Sequence, residues 1–301
     1  MKIIRLVETH FWVVMIAGII LGLWPPFEVN TSPVVQKILL AMMLFVAFMK
    51  IDAIEILENM KNLRLMSWIT FVYMIVIPLG FYFLSGIFDH EFAVGILLLT
   101  AMPAGVSSPV LTDIAKGNIP LSMSLAILTQ LIAPFTVPLL FRLVHIRLVD
   151  IDEFLMLRDI VILVFVPMIL SQLTKKLLPG VVAGLHDLLT SFNVLIIFSF
   201  VFVTISSQRE VILGNPAGLV WKLAALYLLF ILLHIIGYMI IPRENRESRI
   251  AVAIGSAYMN NGLAIVLAVS YFSPAVLVLM VLSQIPWNTL LAPFKKVMER
   301  I

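Results

Sequence analysis

Two short stretches of the chain carry groups that can hold ions and polar solutes without a charged side chain. The first is Pro103-Ala104-Gly105-Val106-Ser107-Ser108-Pro109; the second is Met259-Asn260-Asn261-Gly262. Pro109 has no amide hydrogen and crowds the carbonyl one turn back, so a helix running through it breaks or kinks. A broken helix presents carbonyls on one side of the gap and N–H groups on the other, which suits cations and anionic groups respectively. Asn is costly in an apolar span, and two in succession cannot both face one neighbouring helix. Ser107, Ser108, Pro109, Asn260, Asn261 and Gly262 are therefore the candidate contacts for a solute. The competing readings are a serine-capped proline kink at the first stretch and interhelical hydrogen bonding at the second, for which one Asn usually suffices.

A second set could serve a coupling ion: Ser108, Thr112, Asp113, Thr129, Gln130 and Asn260. Asp113 lies about one turn past Pro109, and a carboxylate within a membrane span is a cation ligand or proton carrier by default. Lys116 stands three residues on, at the spacing of a helix ion pair, so Asp113 is equally half of a solvated pair. Thr129 and Gln130 would complete an oxygen-rich cavity, while Gln284 and Asn288 are polar groups of the same kind in the other half. His234 either shuttles protons or simply satisfies hydrogen bonds within an apolar helix. Glu8, His10, Lys50 and Asp52 sit at span edges and anchor them. No cofactor is expected, and no metal beyond a Na⁺ ion; a chain without cysteine also excludes thiol chemistry and cysteine-ligated metal.

These residues sit in elements that only lipid can solvate. The 301 residues are 62% hydrophobic and 12% charged, with a net charge of +3 that is too small and too scattered for nucleic-acid binding. Apolar runs long enough to span occur near 8–26, 34–52, 64–86, 91–115, 119–146, 157–174, 187–206, 217–241, 248–272 and 274–294. Pro25-Pro26, Gly117, Pro179-Gly180, Pro216 and Pro242 punctuate their ends. The basic start from Met1 to Arg5 resembles a signal peptide, but no small-x-small site follows, and the first run is expected to stay as a membrane helix. Of the 20 Lys and Arg residues, fourteen fall in connections on the N-terminal side and six on the other, which predicts cytoplasmic termini in the cytoplasmic membrane.

The expected fold is thus all-α and polytopic, with ten spans and broken helices at the fourth and ninth. Residues 1–150 and 151–301 form five-helix halves that enter from opposite faces, an inverted repeat. Leu131-Ile132-Ala133-Pro134-Phe135 and Leu290-Leu291-Ala292-Pro293-Phe294, each just after the broken span of its half, support duplication, against a chance recurrence in leucine-rich helices.

At the two breaks, and over essentially the whole length, the chain resembles the bile acid:sodium symporter family. The first crossing helix of that family reads Gly-Gly-x-x-Ser-Asn and ends in Ala-(Lys/Arg)-Gly. Here the same stretch is Ala104-Gly105-Val106-Ser107-Ser108-Pro109, ending in Ala115-Lys116-Gly117. The family's Leu-Leu-Ala-Pro becomes Leu131-Ile132-Ala133-Pro134, and its Glu-x-Gly-x-Gln-Asn-x-x-Leu-Ala becomes Gly255 to Ala264 with spacing preserved. The resemblance implies a panel domain and a core domain, each drawn from both repeats, crossing helices in the core, and organic anions bound between the domains and coupled to Na⁺. The sodium ligands depart from the pattern: Gly255 replaces the glutamate, Met259 the glutamine, Pro109 the asparagine, and Ala126 and Gln130 a serine and a threonine. Ser108 and Asn260 remain. Without the carboxylate, carbonyls with Ser107, Ser108, Thr112 and Gln130 are one way to cage Na⁺. Asp113 as counter-charge or proton site is a second, and an uncoupled protein is a third.

The resulting expectation is a secondary transporter of a small organic anion working by alternating access, with the lipid bilayer and the anion as its partners. A channel or passive exporter is the alternative. An intramembrane enzyme fits poorly: His90-Glu91 starts a metalloprotease motif, but Val94 occupies the second histidine position, and Gly-x-Ser-x-Gly is absent. Arsenite export by thiol ligation is closed to a chain without cysteine.

Overall fold

In the computed structural model, residues 11–24, 32–51, 62–144, 152–214 and 216–300 are described. Lys2, Arg5, Glu8, His10, Pro25, Pro26, Asp52, Lys61 and Arg147 lie outside them. The helices, in chain order, are α1 Phe11–Leu23, α2 Pro33–Met49, α3 Leu63–Ser85, α4 His90–Thr100, α5 Ser108–Ile114, α6 Ile119–Leu143 and α7 Glu153–Leu177. They continue as α8 Pro179–Ser207, α9 Arg209–Gly214, α10 Pro216–Met239, α11 Arg246–Ala257, α12 Asn261–Tyr271, α13 Pro274–Thr289 and α14 Leu291–Met298. Among the described residues there is no strand. Five helical stretches have the length and composition to cross a membrane: Leu63–Ser85, Ile119–Leu143, Glu153–Leu177, Gly218–Met239 and Pro274–Met298. Shorter apolar helices accompany them, including His90–Thr100 and Asn261–Tyr271.

Local chemistry sets the helix ends. Asn62, Asp89, Asn118, Asn245 and Asn260 each accept a hydrogen bond from a backbone N–H of the first turn that follows. At the end of α5, Lys116 takes a left-handed conformation (φ 59°), and Gly117 N–H donates back to Thr112 O at 2.8 Å. That is a Schellman closure, and it turns the chain from α5 into α6. Within α3, one π-helical turn at Val72–Val76 precedes Pro78. Proline cannot supply the next amide, and the ladder widens so that Ile77 N–H reaches Val72 O.

The chain divides into two compact units, each taking segments from both halves. The first is Met1–Ala53 with Val161–Asn215; the second is Ile54–Ile160 with Pro216–Ile301. In the first, α8 packs along α1 and α2. Gly18 and Gly22, one turn apart on α1, let the α8 backbone approach: a methyl group on Gly22 would lie 2.8 Å from Ile205 Cβ and 3.0 Å from Phe202 O. Small residues at this spacing are the usual means of close helix contact in membranes. Buried Gln36 donates to Thr204 Oγ1 at 3.3 Å, and Gln172 and Lys175 donate to the carbonyl of Ile51 at the end of α2.

In the second unit the broken helices are the core. Every residue of α4 from Phe92 to Thr100 is buried, as are Ile250–Ala257 of α11 and Leu263–Ala268 of α12. A helix apolar on all sides belongs inside. The flanking helices α3 and α10 instead leave Trp68, Phe71, Phe83, Val220, Leu228 and Met239 exposed, as lipid-facing surfaces do.

Replacing Gly22 with leucine is expected to loosen the α1–α8 contact and to cost about 1–3 kcal/mol, the usual range for overpacking. A thermal melt of the purified protein reads it; an undiminished melting temperature would show that the contact tolerates a side chain.

Candidate functional site

Both sequence interruptions are breaks in helices, and the structure lays them side by side. Residues 101–107 separate α4 from α5, and residues 258–260 separate α11 from α12. Ala104 and Met259 form an antiparallel bridge. Gly105 N–H donates to Tyr258 O, and Asn260 N–H donates to Pro103 O, both at 2.8 Å. Each gap thereby pairs amides and carbonyls that its own helix has released.

The remaining backbone groups at the crossing are met from helices packed around it. Ala104 N–H donates to Thr129 Oγ1 at 3.1 Å, and Gln130 Nε2 donates to Ala104 O at 3.3 Å. Tyr73, in the π-helical turn of α3, donates to Met102 O at 2.6 Å, and Trp287 Nε1 donates to Met259 O at 3.4 Å. Ser108 N–H closes on Gly105 O at 2.9 Å. The carbonyls of Met102, Pro103, Ala104, Gly105, Tyr258 and Met259, which a broken helix predicts as ion ligands, therefore already accept a hydrogen bond from the protein. Tyr73 and Trp287 escaped the sequence reading. Pro78, which opens the ladder near Tyr73, is the one local signal for the first, and nothing local marks the second.

What the crossing leaves free is side-chain chemistry. Ser108, Gln130, Asn260 and Asn261 are all buried, and Ser108 Oγ, Gln130 Oε1, Asn260 Nδ2 and Asn261 Oδ1 have no hydrogen-bond partner. The hydrogen-bond pattern identifies which end of each amide is free. Gln130 must present its NH₂ to the Ala104 carbonyl, so its oxygen is the free end. Asn260 Oδ1 accepts from Leu263 N–H at 3.1 Å, so its NH₂ is free. The Ser283 hydroxyl donates to Met280 O at 2.6 Å and accepts from Asn261 Nδ2 at 3.1 Å, which leaves Asn261 Oδ1 open. The inventory is two amide oxygens, one hydroxyl and one NH₂ group, each on a residue of the crossing or bonded directly to it. Unsatisfied buried polar groups cost about 1–3 kcal/mol each, and a concentration of them is the mark of a place meant to be filled.

Several other candidates stand apart from this group. The Thr129 hydroxyl is engaged twice, donating to Leu125 O at 2.7 Å while holding Ala104 N–H. Thr112 donates to Ser122 Oγ at 3.0 Å and so ties α5 to α6. Pro109 is buried in the first turn of α5, and Gly262 is half-buried at the start of α12. Ser107 and Asp113 are exposed, so Asp113 does not join the buried polar group as a counter-charge. Gly255, where the resemblance expects glutamate, faces the crossing: a methyl group there would lie 3.9 Å from Ala104 Cβ, with nothing nearer.

Comparison with known proteins places the sequence in a transporter family. The sequence pattern of the SBF-like CPA transporter family matches residues 9–293. A Bacillus subtilis (strain 168) protein named uncharacterized sodium-dependent transporter YocS is 30% identical over 190 residues, 61% of this chain and 57% of that protein. A second protein of that organism, the uncharacterized protein YbaS, is 25% identical over 213 residues, 68% of either chain. The matched part of the chain thus spans a little over half the length of YocS.

The two glycines at the crossing are expected to respond oppositely to a single methyl group. On Gly105 it would meet Tyr258 O at 2.8 Å, and that carbonyl cannot retreat without losing the Gly105 hydrogen bond. Gly105→Ala should therefore destabilise by about 1–3 kcal/mol, whereas Gly255→Ala, whose Cβ would make only ordinary van der Waals contacts at 3.9 Å, should leave the melting temperature nearly unchanged. Equal melting temperatures for the two variants would contradict the pairing.

Proposed function

The chain belongs to the SBF-like CPA transporter family, and from that premise we propose that it carries a small organic anion across the cytoplasmic membrane by alternating access, coupled to Na⁺. As a family member it is a multi-pass membrane transporter and not an enzyme. The finer reading rests on one observation: four buried, unpartnered polar atoms on Ser108, Gln130, Asn260 and Asn261, gathered where two broken helices meet. The oxygens of Gln130, Asn261 and Ser108 suit a cation that prefers neutral oxygen ligands, and the Asn260 NH₂ suits an anionic oxygen.

The missing carboxylate shapes the coupling. In a low-dielectric site an uncompensated Na⁺ is costly, and Gly255 offers no charge to balance it. The anion itself supplies that charge. Na⁺ and substrate would then each raise the affinity of the other, which is the thermodynamic requirement for coupled transport. The name of YocS, a sodium-dependent transporter, favours Na⁺ over the other cations. A second reading, uncoupled flux, draws on the same glycine, since a site without fixed charge holds Na⁺ weakly.

The inverted repeat belongs to the same reading. Both halves run short helix, break, short helix, long helix, as α4-α5-α6 and α11-α12-α13. Each compact unit takes corresponding segments of the two halves, as a panel and a core built from a duplication would. Cytoplasmic termini follow from the distribution of Lys and Arg.

Melting temperature measured against Na⁺, with choline holding ionic strength constant, is expected to rise along a saturable curve, because a ligand of the folded state must stabilise it. Ser108→Ala makes the test specific. Its hydroxyl bonds to nothing in the protein, so its removal should leave the Na⁺-free melting temperature unchanged or slightly higher while shifting the Na⁺ midpoint upward several-fold. A flat Na⁺ response in the unmodified protein would remove sodium from the mechanism and favour uncoupled flux.

A further inference from the structure

The end of the second unit where α3 and α11 begin and α10 and α14 finish carries cations that nothing described so far uses. Three contacts bring these helix ends together. Trp68 Nε1 on α3 donates to Ile240 O, just past α10, at 3.1 Å. Arg249 on α11 donates from Nε to Tyr238 O at 3.1 Å and lies 3.8 Å over the Tyr238 ring. Arg246, at the start of α11, donates to Met298 O at the end of α14. Arg246 and Arg249 are thereby spent on helix C-termini, where a cation meets unpaired carbonyls and the negative end of the dipole.

Four other cations at this end are not spent. Arg64 in the first turn of α3, Arg243 between α10 and α11, and Lys296 on α14 are exposed, and Lys295 is half-buried. Among the described residues, none of the four makes a side-chain hydrogen bond or an ion pair. Carboxylates stand close by in the chain, since Glu244 follows Arg243 directly and Glu247 and Glu299 lie in the same segments. All three are exposed and equally unpaired. Over residues 62–68, 240–249 and 291–300, seven Arg and Lys stand against three Glu, so the end is positive even before the pairing is considered.

The same elements mark a boundary between hydrocarbon and headgroups. On α3, Trp68 and Phe71 are exposed, and Arg64 stands one turn nearer the helix start. On α14, Phe294 and Met298 are buried, Phe294 against the His234 ring at 4.6 Å between centroids, while Ala292, Pro293 and Val297 are exposed. A short helix with one buried face, further apolar residues in the open and lysines beside them suits a membrane surface. Lysine and arginine stems lie along such apolar surface and keep their charged heads at headgroup level. A surplus of cations on one side also orients a membrane chain, which accounts for their number. It does not account for free cations flanking exposed tryptophan and apolar residues while the glutamates beside them go unused.

We propose that this end of the second unit is a binding surface for anionic phospholipid, with Arg64, Arg243, Lys295 and Lys296 meeting the lipid phosphates and the exposed apolar residues beside them meeting the acyl chains. Charge selects the lipid. A phosphate in a headgroup of net negative charge brings no cation of its own, whereas a zwitterionic headgroup sets a quaternary ammonium against the same four side chains. Each Lys or Arg held near an anionic surface adds to the attraction, and the exposure of these four makes the effect sensitive to salt. The proposal needs only that the chain is a membrane protein; it draws on neither the transported solute nor the coupling ion.

The test is the melting temperature of the full chain in a neutral detergent, titrated with dioleoyl phosphatidylglycerol or dioleoyl phosphatidylcholine in choline chloride. Both lipids are expected to stabilise, with the phosphatidylglycerol midpoint about tenfold or more below the other, and the two curves are expected to merge as choline chloride is raised. The variant R64Q/R243Q/K295Q/K296Q is expected to bring the phosphatidylglycerol curve onto the phosphatidylcholine one and to leave the latter in place. Arg246 and Arg249 are kept because they hold helix ends. If that variant folds poorly, K295Q/K296Q alone is expected to raise the phosphatidylglycerol midpoint several-fold. Superimposed curves for the unmodified protein overturn the proposal. So does a phosphatidylglycerol preference that survives both the substitutions and high salt, which would put the lipid elsewhere on the protein. Inorganic phosphate is the third arm, and stabilisation by it equal to that by phosphatidylglycerol would make this a site for a soluble anion instead. No Na⁺ or transported solute enters the measurement, so its failure is distinct from a failure of the transport reading.

Discussion

Backbone groups deprived of water have to find partners, and in this protein two broken helices find them in each other. A single break in an apolar core would strand amides and carbonyls at several kcal/mol in total. Here the Gly105 amide and the Tyr258 carbonyl, and the Asn260 amide and the Pro103 carbonyl, meet at 2.8 Å. Neither break is tolerable without the other, so the second unit is organised around their meeting. The close approach accounts for Gly105, since a side chain there would occupy the space of the Tyr258 oxygen. It accounts as well for the ring of helpers, because Tyr73, Thr129, Gln130 and Trp287 each answer one group that the bridge leaves over.

Such thorough satisfaction of the main chain makes the unsatisfied side chains informative. A core that provides for Met102, Pro103, Ala104, Gly105 and Met259 has no need to leave Ser108 Oγ, Gln130 Oε1, Asn260 Nδ2 and Asn261 Oδ1 empty-handed. Stability given up at one place in an otherwise consistent core is what binding sites look like. Their neutrality matters equally. Gly255 stands in place of a carboxylate and Asp113 is exposed, so the four free groups at the crossing carry no fixed charge.

The alternating access proposed for this protein also requires mobility, and the crossing suits it. Half-helices of seven to twelve residues, joined by a few hydrogen bonds, can tilt without tearing a long helical ladder. Tyr258 is a shared point of contact. It is bonded to one broken helix through its carbonyl and packed through its ring against His234 and Trp287, so a change on either side is felt at the bridge.

Much of this could be read from the order of residues. Breaks follow from local chemistry: Pro109 lacks an amide, two asparagines resist an apolar span, and the structure unwinds the chain beside each. Helix ends are similarly local, since Asn62, Asn118 and Asn245 cap the turns that follow them. The resemblance to a transporter family lay in the motifs at the two breaks. What the order of residues could not decide is which polar group is spent and which is free. Thr129 and Gln130 are adjacent and equally polar, yet the hydroxyl of one is consumed by Leu125 and Ala104 while the oxygen of the other is open. Thr112 is consumed by Ser122, Asp113 turns outward, and half of His234 is left without a partner. Propensity, capping and proline sterics act over a few bonds, so sequence by itself determined the helical class, the two breaks and the capped helix starts. Hydrogen-bond partnership between residues far apart in the chain, as between Ala104 and Thr129 or Gly105 and Tyr258, depends on which surfaces pack, and only the tertiary structure decides that.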